Sequence, residues 1–263
     1  MRLPASLRAR RQVLAAVKAG GRRCLEAGID LLFSPACLSC GSGLSEVHQG
    51  ILLCHECRDE LVQSSHSRCL RCAAEIDPTA IAGDGCRRCG KQSFHFDTVT
   101  TLGRYEGRLR QMVLATKQAK HVPLTRTLGR LLAESNRDTL RAPAPEVLVP
   151  TPMHWARRAV RGVNGPEILC HELSRRLALP QARAVRCRRN IKLQHGLGAA
   201  ARRRNVRRAF AVKGGYDFYG ARVLLIDDIL TTGATASEVS GVLKARGAAW
   251  VGVAIVARTM IDD

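Results

Sequence analysis

Eight cysteines arranged in four Cys-x-x-Cys pairs constrain the fold of this chain more than any other feature. The pairs are Cys37/Cys40, Cys54/Cys57, Cys69/Cys72 and Cys86/Cys89. Pairs at this spacing are typical of zinc ligands, whereas a disulfide framework requires an oxidising compartment. We expect no secretory signal, because the basic N-terminal stretch has no uninterrupted apolar core. The cysteine pattern therefore predicts structural zinc and a reducing, cytoplasmic location.

The spacing between the pairs suggests a repeat. Thirteen residues separate Cys40 from Cys54, and thirteen separate Cys72 from Cys86. Two pairs can supply the four thiolates of a tetrahedral zinc ion from the two ends of a short hairpin. We therefore predict two sequential structural sites. A cross-braced arrangement would use the same eight residues and stays open at this point.

Three segments follow from the composition and the apolar pattern. Residues 1–36 form a basic, helical N-terminal segment, 37–92 a double zinc-ribbon module and 93–263 an α/β domain. Apolar runs alternate with helical patterns after residue 93, which predicts a mostly parallel sheet flanked by helices. The predicted strands cover 98–102, 146–150, 222–227 and 250–256, and two of the predicted helices cover 167–178 and 235–246.

Basic residues are concentrated in one part of the chain. The net charge is +20, and residues 157–209 carry 15 basic and 2 acidic groups, or +13. Such a field favours phosphates, nucleotides or nucleic acid, although a solvated basic surface would look the same in the sequence. Hydrophobic residues make up 46% of the chain, which excludes a disordered polyelectrolyte. We expect no membrane span, because no apolar run approaches roughly 20 residues.

Residues 223–239 carry the clearest chemical pattern. An apolar strand ends in Asp227 and Asp228, a Thr/Gly-rich loop follows, and a helix begins after the loop. Backbone N–H groups and hydroxyls at a helix N-terminus form a phosphate cradle, and a glycine lets the backbone approach the ligand. The loop has no Gly-Lys-Ser/Thr sequence, so a P-loop nucleoside triphosphatase is excluded. The predicted phosphate-binding residues are Thr231, Thr232, Gly233, Ala234 and Thr235.

Two acids beside a phosphate site require an explanation, because alone they would repel the phosphate. A ribose 5-phosphate explains them, with its phosphate in the loop and its 2′- and 3′-hydroxyls, or a bound Mg²⁺, at Asp227 and Asp228. The alternative is an ordinary strand-to-helix turn with an aspartate cap.

This pattern of apolar residues, two acids and Thr-Thr-Gly-x-Thr resembles the 5-phosphoribosyl-1-pyrophosphate (PRPP) motif of type I phosphoribosyltransferases. Nearly the whole chain resembles the competence-associated ComF family, which combines that domain with an N-terminal double zinc ribbon. Further matches are Val149-Pro150-Thr151-Pro152, Arg161-Gly162-Val163-Asn164 and the residues Gln194, Leu197, Arg202, Asn205, Val206, Ala209 and Phe210. The chain departs from the common family pattern at Val163, Gly165 and Gln118.

The resemblance implies a role for the basic residues. The loop from Thr151 and Pro152 to about Arg161 would hold pyrophosphate, with Arg157, Arg158 and Arg161 available. A closing loop would lie within about 188–204, which includes Arg202. The family implies structural zinc, Mg²⁺ with PRPP, and, in an active enzyme, phosphoribosyl transfer to an acceptor.

Two rival functions stay open at the level of the sequence. The family name implies a role in DNA uptake, for which the +13 segment would suit single-stranded DNA. An aromatic content of only 4% argues against an extensive base-stacking platform. The third reading is a PRPP sensor that does not catalyse transfer.

Overall fold

The computed structural model describes residues 35–62, 68–76, 81–82, 85–87, 89–90, 92–191 and 198–259. Almost all of the predicted N-terminal segment, 1–36, lies outside these residues, as do Gln194 and Leu197. The remaining predicted segments are described in most of their length.

A four-stranded parallel sheet forms the centre of the domain after residue 93. Its strands are β3 (Thr98–Arg104), β4 (Val147–Pro150), β7 (Arg222–Leu230) and β8 (Trp250–Arg258). They lie in the order β3-β8-β7-β4. The two central strands, β7 and β8, are almost continuously apolar because both of their faces are covered. This arrangement confirms the predicted fold class.

Two apolar cores cover the two faces of the sheet. On one face lie α2 (Gly107–Ala115), α3 (Val122–Ser135) and α6 (Gly165–Leu177), which pack on Leu224 and Ile226. On the other face lie α7 (Ala199–Val206) and α8 (Ala234–Lys244), which pack on Val223 and Leu225. Successive side chains of a strand point to opposite faces, and the four residues from Val223 to Ile226 accordingly alternate between the two cores.

The remaining elements are short and connect these layers. An antiparallel pair, β5 (Val185–Cys187) with β6 (Phe210–Val212), flanks the segment that was predicted to close over the site. A 3₁₀ turn (Ala119–His121) precedes α3, α4 (Arg137–Arg141) follows it, and α5 (Trp155–Arg161) comes directly after β4. In the described parts of the chain, no helix combines the length and apolarity needed to cross a bilayer.

The zinc-ribbon module packs on the sheet domain. Its elements are a 3₁₀ turn (His48–Gly50), α1 (His55–Val62), β1 (Ile81–Ala82) and β2 (Gly85–Cys86). Ile51 and Leu53 join the same core as α3 and α6. The module thus completes the apolar core and has too little core of its own.

The sequence located the strands well and their ends less well. Strand β7 continues to Leu230, so Asp227 and Asp228 lie within the strand and do not terminate it. The reason is β8, which pairs with β7 as far as Leu230, opposite Arg258. Strand β4 ends at Pro150, opposite Ile226, so both acids lie beyond the end of that neighbouring strand.

Candidate functional site

The eight paired cysteines form two separate clusters. One holds Cys37, Cys40, Cys54 and Cys57, the other Cys69, Cys72, Cys86 and Cys89, and within each cluster all sulfur atoms lie within 4.8 Å of one another. Neighbouring sulfurs, such as those of Cys40 and Cys54 or of Cys72 and Cys86, are 3.7 Å apart. Four thiolates about 2.3 Å from a tetrahedral zinc ion lie about 3.8 Å from each other. Both clusters therefore fit zinc, and the sequential pairing is confirmed over the cross-braced one.

The same backbone turn builds both clusters. In the first, Gly41 N–H donates to the carbonyl of Cys37 at 2.9 Å, and in the second, Ala73 N–H donates to the carbonyl of Cys69 at 2.7 Å. Both residues have positive φ, +80° for Gly41 and +55° for Ala73. An alanine pays a steric penalty in this conformation, so the turn of the second cluster depends on contacts outside the turn itself.

The two acids are consecutive residues near the end of β7, and Asp228 lies on the side covered by α2 and α6. A hydrogen bond of 2.9 Å from Asp228 N–H to Asp227 Oδ1 joins them.

Burial changes the proton affinity of Asp227. Only 8% of the residue is exposed. Burial raises the pKa of Asp227 to about 7, and the neighbouring charge of Asp228 adds to the increase. A group that binds the carboxylate oxygens, such as a divalent cation, would favour the ionised form. The all-oxygen donor set of Asp227 and Asp228 fits Mg²⁺.

Asp228 forms an ion pair with Lys117, just after α2. The N-terminus of α6 lies beside the same carboxylate, since a Cβ atom at Gly165 would be 3.8 Å from Asp228 Oδ2. Asn164 is 4% exposed, and its buried Oδ1 accepts no hydrogen bond from any described residue. The sequence assigned no site role to Lys117 or Asn164, because their contacts with Asp228 and its surroundings arise only on folding.

The Thr/Gly loop lies between β7 and α8. Gly233 has φ +75° and caps the helix, and Thr232 Oγ1 accepts a hydrogen bond of 3.4 Å from Ala234 N–H. Helix α8 begins at Ala234 and includes Thr235. Thr231 follows the last strand residue directly. The five predicted phosphate-binding residues thus lie at the N-terminus of α8, the end of a helix that favours anions.

The predicted pyrophosphate residues are only partly directed toward the acids. Thr151 follows β4, and its N–H donates to Ile226 O at 2.9 Å, so Thr151 and Pro152 lie beside the acid pair. Arg157 instead donates to the carbonyl of Ile191 at 2.6 Å. Arg158 pairs with Glu167 at 2.8 Å. Arg161 is half-buried at the end of α5, and Arg202 lies on α7, which packs against α8.

Comparisons with known proteins show which family this chain resembles. Residues 28–90 match the family model described as a double zinc ribbon domain. The chain is 31% identical over 220 residues to "Competence protein F" of Haemophilus influenzae, an alignment that covers 82% of this chain and 93% of that protein. The chain belongs to the ComF family. It is also 28% identical to the "DNA utilization protein YhgH" of Escherichia coli K12, over 85% of this chain and 97% of that protein.

Among solved structures, this ComF-family chain overlaps with a purine phosphoribosyltransferase from Pyrococcus horikoshii. The TM-score is 0.31 and the identity 16%, over 57% of this chain and 82% of that chain. The similarity to the two relatives and the zinc-ribbon match confirm the resemblance to the ComF family stated from the sequence.

Proposed function

We propose that this ComF-family protein binds PRPP, or the 5′-phosphoribosyl end of a nucleotide, at the carboxyl end of β7. One observation carries the proposal: two carboxylates, Asp227 and Asp228, are followed within three residues by a Thr/Gly loop at the N-terminus of α8. Ligands of open α/β sheets bind beyond the carboxyl ends of the strands.

Each group of residues at the carboxyl end of β7 has a role in this proposal. The loop from Thr231 to Thr235 donates backbone N–H groups and hydroxyls to the 5′-phosphate. Asp227 and Asp228 accept hydrogen bonds from the ribose hydroxyls. The turn at Thr151 and Pro152 and the cations Arg158, Arg161 and Arg202 contribute to the field that holds pyrophosphate.

Mg²⁺ bound with PRPP would neutralise pyrophosphate charge and lower the barrier to its departure. In a transfer reaction, the acceptor's lone pair forms a bond to the anomeric carbon, and the bond from that carbon to pyrophosphate breaks with the electron pair leaving on oxygen. Lys117 forms an ion pair with Asp228 and would orient that carboxylate. A PRPP sensor would use the same residues without an acceptor.

Calorimetric titration of PRPP with Mg²⁺ into the zinc-loaded protein tests the proposal. We expect saturable binding that is lost in the double variant Asp227→Asn/Asp228→Asn. Asp217→Asn is the matched control, because this exposed carboxylate precedes β7 and so lies at the opposite end of the strand. Absence of binding by the folded wild-type protein would overturn the proposal. Release of pyrophosphate in an acceptor screen would distinguish an enzyme from a sensor.

One observation favours a second function, the binding of single-stranded DNA. Helix α5 exposes 73% of Trp155 and 88% of Val160, and it carries Arg158 and Arg161. An exposed aromatic ring among cations suits a nucleobase that stacks while its phosphates meet the arginines. Both functions are compatible, since a terminal phosphoribosyl group could enter the site while the strand follows α5.

Fluorescence anisotropy of a dye-labelled oligodeoxynucleotide, titrated with the protein, tests this second function. Binding should weaken steeply with salt and decrease in Trp155→Ala, and in the wild type it should quench Trp155. Tyr219→Ala is the matched control, because Tyr219 is 89% exposed but lies before β7, away from α5. Binding that ignores salt, or that both variants reduce equally, would contradict this function.

A further inference from the structure

A buried arginine connects the second zinc cluster to the Thr/Gly loop of residues 231–235, which the proposed function makes a phosphate-binding loop and which is called the phosphate loop below. Arg258 is the last residue of β8 and is 5% exposed. Its Nε donates to the carbonyl of Cys72 at 2.8 Å. Its Nη1 donates to the carbonyl of Leu230 at 2.9 Å and also to that of Thr231. One guanidinium therefore contacts a zinc ligand's backbone and the residues at which β7 passes into the loop.

Phe94 makes a second, independent connection. Its ring stacks on Phe96, with centroids 4.6 Å apart, and it packs against the second cysteine cluster. The same ring lies under the loop, since a Cβ atom at Gly233 would be only 2.9 Å from Phe94 Cε1. The αL glycine of the loop thus rests on a side chain that the zinc cluster supports.

The second ribbon is also fixed to the edge of the sheet. Val99 N–H donates to the carbonyl of Leu70 at 2.7 Å, and Arg68 Nη1 donates to the carbonyl of Thr101 at 3.2 Å. Leu70 lies between the zinc ligands Cys69 and Cys72. The turn that zinc would hold closed is therefore bonded to β3 on one side and, through Arg258, to the phosphate loop on the other.

We propose that Arg258 is a positioning residue for the phosphate loop and that zinc in the second cluster sets the loop's affinity for phosphate through it. The inference rests on the proposed function. Zinc fixes the turn of Cys69 and Cys72, the Cys72 carbonyl orients the guanidinium, and the guanidinium holds the carbonyls of Leu230 and Thr231 away from the ligand. The backbone N–H groups of the loop then face the phosphate without prior rearrangement.

The first ribbon provides the internal comparison. Its anchor is Arg130, which donates to the carbonyl of Gly50 and, through Nε, to Glu172 at 2.8 Å. Arg130 itself lies on α3, and these two partners lie on the first ribbon and on α6, outside the phosphate loop. Zinc in the first cluster should therefore leave phosphate affinity unchanged.

The decisive experiment uses the wild-type, full-length chain. Zinc affinities are measured by equilibrium competition with a chromogenic chelator, with and without saturating PRPP and Mg²⁺. Alkylation of the released cysteines, located by peptide mass spectrometry, assigns each zinc ion to its cluster. Linkage requires that PRPP tighten zinc binding by the same factor by which zinc tightens PRPP binding. We expect about a tenfold gain at the second cluster and less than a twofold gain at the first.

A pair of conservative variants tests Arg258 itself. In Arg258→Lys the charge remains, but one ammonium group cannot span the carbonyls of Cys72 and Thr231. We expect the dissociation constant of PRPP to increase about tenfold, and that of the matched control Arg130→Lys to change less than twofold. Equal circular dichroism spectra would show that both variants fold. If a variant does not fold, the zinc-affinity measurement on the wild-type protein still tests the inference.

The possible outcomes separate the two proposals. Absence of PRPP binding by wild-type protein would overturn the proposed function and this inference together. PRPP binding that affects both zinc clusters equally, or neither, would overturn the inference alone. A weakened Arg258→Lys variant with tighter zinc only at the second cluster would establish it.

Discussion

The two zinc ribbons share their ligand spacing and their knuckle turn, yet they occupy different environments. All four cysteines of the second cluster are buried, whereas Cys40 of the first is exposed and Cys54 half-buried. The first ribbon attaches to α3 through Arg130 and through an ion pair of 2.8 Å between Arg58 and Glu134. The second attaches to β3 and to the phosphate loop. Two copies of one metal motif thus stabilise different parts of the same domain.

This difference shows that the spacing of the cysteines determines which metal a ribbon binds, but not which part of the domain the ribbon stabilises. A closed four-thiolate site is structural wherever it lies. Its consequence for function depends on which carbonyls and side chains contact the knuckle from outside.

Loss of one zinc ligand should have the largest effect, and a larger one in the second ribbon. We expect Cys69→Ser to lower the free energy of unfolding by about 4 kcal/mol or more, and Cys37→Ser to lower it less. The two cysteines hold equivalent positions, but Cys37 belongs to the more exposed cluster. Chemical denaturation with zinc analysis checks the order, and a greater loss in Cys37→Ser would reverse the comparison.

The pH dependence of stability should originate beside the phosphate loop. The pKa of Asp227 is raised from 3.8 to about 7, so the folded state binds more protons than the unfolded state between these values. Stability present in acid is therefore lost as pH rises from about 4 to 7, by a contribution on the order of 4 kcal/mol. Asp227→Asn should remove that contribution.

Denaturation of the wild type and Asp227→Asn across this pH range provides the measurement. The matched control is Glu60→Gln, because Glu60 is an exposed acid that pairs with Arg108 at the first ribbon. An unchanged slope in Asp227→Asn would contradict the assignment.

A comparison of two glycines separates backbone strain from packing. Gly41 and Gly233 both have positive φ, but a Cβ atom at Gly41 meets nothing within 4 Å, whereas one at Gly233 meets the Phe94 ring. We expect Gly41→Ala to cost about 1 to 2 kcal/mol through strain alone. Gly233→Ala should cost about 1 kcal/mol more through overpacking and should also weaken PRPP binding. Equal losses would indicate that Phe94 moves aside freely.

The smallest effects should come from the ion pairs that attach the ribbons. Glu75 pairs with Arg104 at 3.2 Å and has 14% of its side chain exposed, whereas Glu60 pairs with Arg108 at 2.6 Å and has 53% exposed. We expect Glu75→Gln to cost about 1 kcal/mol and Glu60→Gln clearly less, because solvent weakens the exposed pair despite its shorter distance. Thermal unfolding of both variants would reveal the reverse order if distance were decisive.

Individual residues show which features of the fold and the site could be predicted from the sequence. The alternation of apolar runs predicted the four parallel strands, and the Thr/Gly pattern after Asp228 predicted the loop at the start of α8. The end of β7 was predicted three residues early, because pairing with β8, a long-range contact, extends the strand to Leu230. The arginines after β4 were assigned to pyrophosphate as a group, but Arg157 and Arg158 have partners elsewhere that no local pattern predicts.

The zinc ligands, the start of the Thr/Gly loop and the parallel sheet that carries it could all be predicted from the sequence, since these features depend on spacing and periodicity over short stretches of chain. Three other features became visible only in the folded chain: the zinc ligands pair sequentially, Lys117 meets Asp228, and Arg258 joins Cys72 to Thr231. Those contacts link residues up to 186 positions apart. They depend on how the layers pack against each other, and short-range spacing contains no information about that packing.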